Sequence, residues 1–198
     1  DLTPEFGLSL LIETGSTTVL FDTGATGVFV DNAAALDVDL ASVDMAVLSH
    51  HHFDHGGGLA RFLELNPTAP VVLRDAPFEH RWFKALLVLK QEIGLDADVM
   101  RSSAGRFTSV SRDTEIAPGV WLLTDILHRH PRPKGNRHLY VKRNGDLVAD
   151  PFDHELIFVV HESDGMVVVT GCSHHGVLNM VETAATRRIS PRRLPYVR

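Results

Sequence analysis

The chain has 198 residues, a formal net charge of -6 with neutral histidines, 44% hydrophobic and 22% charged residues. That size suits one compact domain over residues 1–198, and the composition lies far from that of disordered chains. The acidic balance argues against nucleic acid or an anionic membrane as the main partner, and the lone cysteine, Cys172, excludes an internal disulfide and points to the cytoplasm.

Residues Asp1 to Gly7 carry neither the basic start nor the apolar stretch of a signal peptide. No apolar run approaches the roughly 20 residues of a membrane span. Gly7 to Glu13 and Thr17 to Phe21 are apolar, β-rich runs on either side of Thr14-Gly15-Ser16, which predicts a hairpin ending in Asp22-Thr23-Gly24. A helix is expected from about Val28 to Leu36, and short helical turns from Asp39 and Ser42. Asp44 to Leu48 reads as a strand buried on both faces. It feeds Ser49 and a histidine-rich loop, followed by Gly56-Gly57-Gly58 and a helix over Leu59 to Leu65, stopped by Asn66-Pro67. Pro70 to Leu73 is a further strand. From Pro77 to about Gly94, Phe78, Trp82, Leu86, Leu89 and Ile93 recur at three- and four-residue spacing, which predicts a long helix. The second half reads as strands at Arg106–Ser111, Val120–Thr124, Leu139–Arg143, Leu156–His161 and Met166–Thr170, then Gly171-Cys172-Ser173-His174 and a helix opening near Gly176. This order predicts an α/β sandwich with sheets inside and helices outside.

Of the twelve histidines, four (His50, His51, His52, His55) share a six-residue window, and His174-His175 form a second cluster. In an extended segment, residues two apart point to one side. His50, His52 and Asp54 are spaced that way and His55 points elsewhere, so one loop offers two diverging donor sets. Imidazole and carboxylate suit zinc at about 2.0–2.2 Å, and two such sets can hold metals roughly 3.5–4 Å apart. His51 is expected to be a bystander.

Ser49 to Leu59, with its His50-x-His52-x-Asp54-His55 core, resembles the signature loop of the metallo-β-lactamase superfamily. Gly7 to Glu13, Leu20 to Gly24 and Gly171 to His174 resemble one branch, often labelled dihydropterin-type ribofuranosyl-aminobenzene 5'-phosphate synthases. The resemblance implies the αββα sandwich of that superfamily. It implies His50 and His52 on a first metal, completed by His174, and Asp54 and His55 on a second. Asp22 would brace the metal loop by hydrogen bonds. Cys172 reads as a small buried residue beside the site, with a soft-ligand role as the alternative. The bridging carboxylate of many members has no counterpart at Gly171-Cys172, and Asp150 and Asp153 are the acids left to replace it. His175 is expected outside the ligand set.

The branch begins upstream of the hairpin and continues to a glycine-glycine-x-histidine ligand segment. This chain ends instead in Arg187-Arg188 and Pro191-Arg192-Arg193, with Glu182 the only substitute ligand. The expectation is truncation at both ends or an incomplete second site. The implied chemistry is hydrolysis of a small, phosphorylated or cyclic substrate by a metal-bound hydroxide, with Asp54 binding metal and orienting the water. The segment from Ile126 to His138, carrying His128, His130, Arg132, Lys134, Arg137 and His138, would line the pocket and could grip an anion; otherwise it is a plain charged loop. Rival functions are a pterin-type synthase or transferase and a non-catalytic binding relative. Zinc, iron and manganese all fit these donors, and the oligomeric state is not legible.

Overall fold

The computed structural model describes residues 1–15, 17–85 and 89–187. Ser16 of the expected first turn, Leu86 of the expected helix, and the arginines beyond Arg187 lie outside them. In chain order the elements are β1 (Leu10–Glu13), β2 (Thr18–Phe21), α1 (Val28–Ala35), β3 (Met45–Val47), α2 (Phe53–Gly56), α3 (Leu59–Leu65) and β4 (Val71–Arg74). There follow β5 (Arg81–Ala85), β6 (Leu89–Glu92), α4 (Ala97–Ser102), β7 (Phe107–Val110), β8 (Thr114–Ala117) and β9 (Val120–Leu123). The chain continues through β10 (Leu139–Arg143), β11 (Asp146–Ala149), β12 (Ile157–Glu162), β13 (Gly165–Val169) and α5 (Val177–Thr186).

Two sheets face one another because their strands are apolar on both sides. In the first, ordered β1-β2-β3-β4-β7, all pairs after the β1–β2 hairpin are parallel. Its alternate residues split cleanly: Leu20, Val71 and Leu73 pack with Phe29 of α1 and Leu59 and Phe62 of α3, while Val19, Phe21 and Val72 point the other way. That second set meets Val120, Leu122, Phe158 and Val160 of the antiparallel sheet β13-β12-β9-β8. The outer face of this sheet, Leu123, Ile157 and Val159, is covered by Met180 and Ala184, one turn apart on α5. Period-2 burial on both sheets thus stacks helix, sheet, sheet and helix, the expected αββα order.

The long helix expected between Pro77 and Gly94 is not formed. Its residues make the hairpin β5–β6, with Trp82 opposite Glu92, and β5 pairs with β10 in a third sheet, β11-β10-β5-β6. Apolar residues at three- and four-residue spacing fit a helix, but Arg81, Trp82 and Phe83 gain cross-strand partners at Val141, Tyr140 and Leu139 that no local rule reveals. Strands β8 and β11 and helix α4 were likewise not expected from the sequence. No helix among the described residues is long and apolar enough to cross a membrane.

Candidate metal centre

The first donor loop leaves the carboxyl end of β3, where open parallel sheets place ligands. Asp22, at the end of β2 and fully buried, holds it. Its Oδ1 accepts the Ser49 N–H at 2.7 Å, and its Oδ2 accepts the Ser49 hydroxyl at 2.7 Å and His55 Nδ1 at 2.6 Å. Since the Ser49 hydroxyl gives its proton to Asp22, it accepts from His50 Nδ1 at 2.8 Å. The relay leaves the His50 Nε2 lone pair free. Further along, the His51 N–H donates to His154 Nδ1 at 2.9 Å and the Phe53 N–H to the Ile93 carbonyl at 2.9 Å. The extended backbone ends at His52, and Phe53 begins the helical turn α2. Asp54 and His55 therefore stand on a helical turn rather than on the extended segment that the spacing suggested.

The second donor loop follows β13. Gly171 passes so close to the first loop that a Cβ there would lie 2.2 Å from Ser49 Oγ, so no larger residue fits without displacing the serine. Glu155, buried, accepts the N–H groups of His174 at 2.7 Å and His175 at 2.9 Å, and His175 Nδ1 at 2.7 Å. Asn136 then clips His174: its Nδ2 donates to the His174 carbonyl at 2.7 Å, and its Oδ1 faces His174 Nδ1 at 3.1 Å. Nδ1 is the donor there, which again leaves Nε2 free. Phe152 stacks on the His174 ring at 4.4 Å. Asp22, Phe152 and Ser173 all adopt left-handed backbone, with φ of 60, 60 and 56°, conformations that surrounding contacts must impose on non-glycine residues.

The free nitrogens converge. The rings of His50, His52 and His174 lie 4.6 to 5.0 Å apart between centroids. Their Nε2 atoms are buried and have no hydrogen-bond partner, an arrangement that costs energy unless something else fills the valence. Donor atoms of His50, His52 and Asp54 lie within 4.8 Å of one another, as do those of His50, Cys172 and His174, and of Asp54, His55 and Cys172. Burial, then repulsion from neighbouring histidines (His52 and His55 for His50, His154 and His174 for His52), pushes the His50 and His52 pKa values well below the ordinary histidine range; burial also lowers that of His174. All three are neutral at physiological pH, as ligands must be. His55 differs. Burial opposes its charge, but hydrogen bonds to Asp22, Asp54 and Cys172 prevail and push its pKa up to about 12. A cation at the Asp54–His55–Cys172 set would take the place of that proton.

The expected residues His50, His52, Asp54, His55 and His174 are thus brought to one cluster, with Asp22 beneath it. Cys172 is exposed rather than buried, with Sγ 3.2 Å from His55 Nε2 and 4.0 Å from Asp54 Oδ2. It stands among the donors one residue before the left-handed Ser173. Glu182 is remote in role, pairing with Arg129 and His130. Asp153 pairs with Arg143, whereas Asp150 forms a further donor group with His52 and His154. His154, Glu155 and Asn136 escaped sequence reasoning, since each acts across a long stretch of chain through one or two hydrogen bonds. The bystander His51 is buried with its ring stacked on His154 at 5.2 Å.

The sequence profile described as the metallo-beta-lactamase superfamily matches residues 2–185. The chain is 31% identical over 193 residues to 7,8-dihydropterin-6-methyl-4-(beta-D-ribofuranosyl)-aminobenzene-5'-phosphate synthase of Methanocaldococcus jannaschii, covering 90% of this chain and 64% of that protein. It is 33% identical to the crystal structure of Tm1679, a metal-dependent hydrolase of the beta-lactamase superfamily, with a TM-score of 0.75 over 94% of this chain and 67% of that one. An N-acyl homoserine lactone hydrolase, 18% identical with a TM-score of 0.50 over 81% of this chain and 60% of that one, shares the fold alone. The chain thus spans about two thirds of the length of the first two relatives. With profile, fold and donor loop in agreement, the chain belongs to the metallo-beta-lactamase superfamily.

Proposed function

We propose that the chain carries a two-metal hydrolytic centre, zinc being the metal best suited to its donors, that acts on a small phosphorylated or cyclic molecule. The observation that carries this reading is the convergence of three buried, unpartnered Nε2 atoms whose Nδ1 atoms at His50 and His174 are already committed. His50, His52 and His174 would hold one metal, and Asp54 and His55 the second. Bound there, a divalent metal lowers the pKa of water toward about 7 and polarises the bond under attack. The chain's own residues do the rest. Asp54, 3.4 Å from His55 Nε2, faces the donors and would orient the attacking water. Asp22 and Glu155 fix the two loops, and Phe152 keeps solvent off His174.

A second reading, a pterin-type synthase, is favoured by the 31% identity to the archaeal synthase. Metal content by plasma mass spectrometry, for the wild type and for Asp54→Ala and His174→Ala, is the first test. About two equivalents, falling in both variants, supports the centre, after which turnover of phosphodiesters and lactones separates hydrolase from synthase. No metal in any preparation, even after reconstitution, would overturn the proposal.

A further inference from the structure

Phe152 and His175 belong to a second concavity as well. A cleft of about 220 Å³ is lined by Arg74, Thr124, His128, Arg132, Phe152 and His175, with carboxylates also on its border. Each of those carboxylates is answered elsewhere. Asp125 pairs with Arg187 at 3.0 Å, which Asp113 shares, Asp153 pairs with Arg143 at 3.3 Å, which Glu79 shares, and Glu155 is filled by the N–H groups of the His174 loop. The two arginines are not so answered. Arg74 donates to the carbonyls of Asp153 and Ser111, and Arg132 to the carbonyl of Pro151 and to His128. Among the described residues neither has a carboxylate partner. The cleft therefore holds two guanidinium groups that no carboxylate among the described residues pairs, in a protein whose net charge is -6.

A second observation points to a ligand. The Thr124 side chain lines the cleft and is 94% buried, since its exposure is 6%. Its hydroxyl is buried without a hydrogen-bond partner, although buried hydroxyls are almost always paired. The frame around it is fixed. The Thr124 N–H is tied to Asp113, the N–H groups of Leu127, Arg129 and His130 are tied to Thr183 and Asn179 of α5, and Arg132 reaches back to Pro151. Two guanidinium groups and a hydroxyl around a small polar cleft match a tetrahedral, multiply charged oxyanion.

We infer that this cleft binds the phosphate group of a phosphomonoester, with Arg74, Arg132 and Thr124 as its recognition residues. Its placement against Phe152 and His175 sets the phosphate one residue away from the His174 donor. The phosphate assignment stands apart from the metal reading; that the phosphate is the handle of a substrate rests on it.

The test is calorimetric titration of the metal-free protein, prepared with chelator, so that the imidazole cluster cannot capture the anion. Inorganic phosphate and ribose 5-phosphate are the probes, on wild type, Arg132→Ala and the near-isosteric Thr124→Val, each checked for an unchanged thermal melt. Saturable one-to-one binding of both probes, weakened about tenfold or more in Arg132→Ala and severalfold in Thr124→Val, is the expected result. Binding of inorganic phosphate with exclusion of the ester would overturn the phosphomonoester assignment. No saturable binding, or binding indifferent to both substitutions, would overturn the site altogether. Either result leaves the metal proposal standing, because metal content is measured separately.

Discussion

The two donor loops differ in how many donors each gathers and are framed in a similar way. The first, His50 to His55, gathers four donor residues into one window, and its register is set by N–H groups that donate to the Asp22 carboxylate, the His154 ring and the Ile93 carbonyl. The second, Gly171 to His175, offers Cys172 and His174 and is held by side chains from distant strands and turns, Glu155 and Asn136. Each loop hangs on one buried carboxylate. Asp22 also engages a histidine that wants its charge, whereas Glu155 spends itself mainly on backbone N–H groups. The difference teaches that a donor set can be written locally while the frame that aims it is not.

That contrast is open to direct attack. The largest effect is expected for Asp22→Ala, which strands His55 and the Ser49 N–H in a buried setting. A loss of about 3–5 kcal/mol is expected by urea denaturation of the metal-free protein; a loss under 1 kcal/mol would refute the bracing role. Acid comes next, and it falls on the first loop. His51 is held by burial, and then by the Arg81 charge, at a pKa of about 3, against about 6.5 when unfolded. Between those values the unfolded chain binds the extra proton, so its stability contribution is full above pH 6.5 and is lost as pH falls toward 3. The slope reaches up to ~1.4 kcal/mol per pH unit for one such histidine, and a melt series flat over that range would contradict it.

Glu155→Gln keeps the shape but weakens the grip on the second loop. It is expected to cost about 1–3 kcal/mol and to lower metal affinity about 10–100-fold, read by competition with a chromophoric chelator. If it costs more stability than Asp22→Ala, the ranking of the two loops is wrong. Asn136→Ala removes the clip on the His174 ring and carbonyl; its expected loss in affinity is about tenfold, with a smaller stability cost than Glu155→Gln. Smallest in energy is Cys172→Ser, within about 0.5 kcal/mol because the side chain is exposed. Its readout is spectroscopic. Cobalt-loaded wild type should show a thiolate-to-metal charge-transfer band that the serine variant lacks, and an identical spectrum would remove Cys172 from the donors.

Much of this was legible in the chain because it is local. Short apolar runs announced β2, β4, β9 and β12, and the spacing of His50, His52, Asp54 and His55 announced the cluster that these side chains form. The misread stretch, Pro77 to Gly94, satisfied a helical period by coincidence, and only pairing with Leu139 to Val141 decides it. His154, Glu155 and Asn136 were invisible for a related reason. His154 meets His51 across 103 positions, and Glu155 reaches His174 from an unremarkable turn before β12. Cys172 was expected beside the site and buried, and it lies beside the site and is exposed.

Phe152 has one further consequence. Its ring is the common wall of the imidazole cluster and the arginine-lined cleft, so any shift of that wall is shared by both chambers. Thermodynamic linkage then requires symmetry: whatever factor a cation at the imidazoles applies to phosphate affinity, phosphate must return to the cation. A rigid wall leaves that factor to the attraction between the two charges alone. A yielding wall makes occupancy of each chamber a gauge of the other.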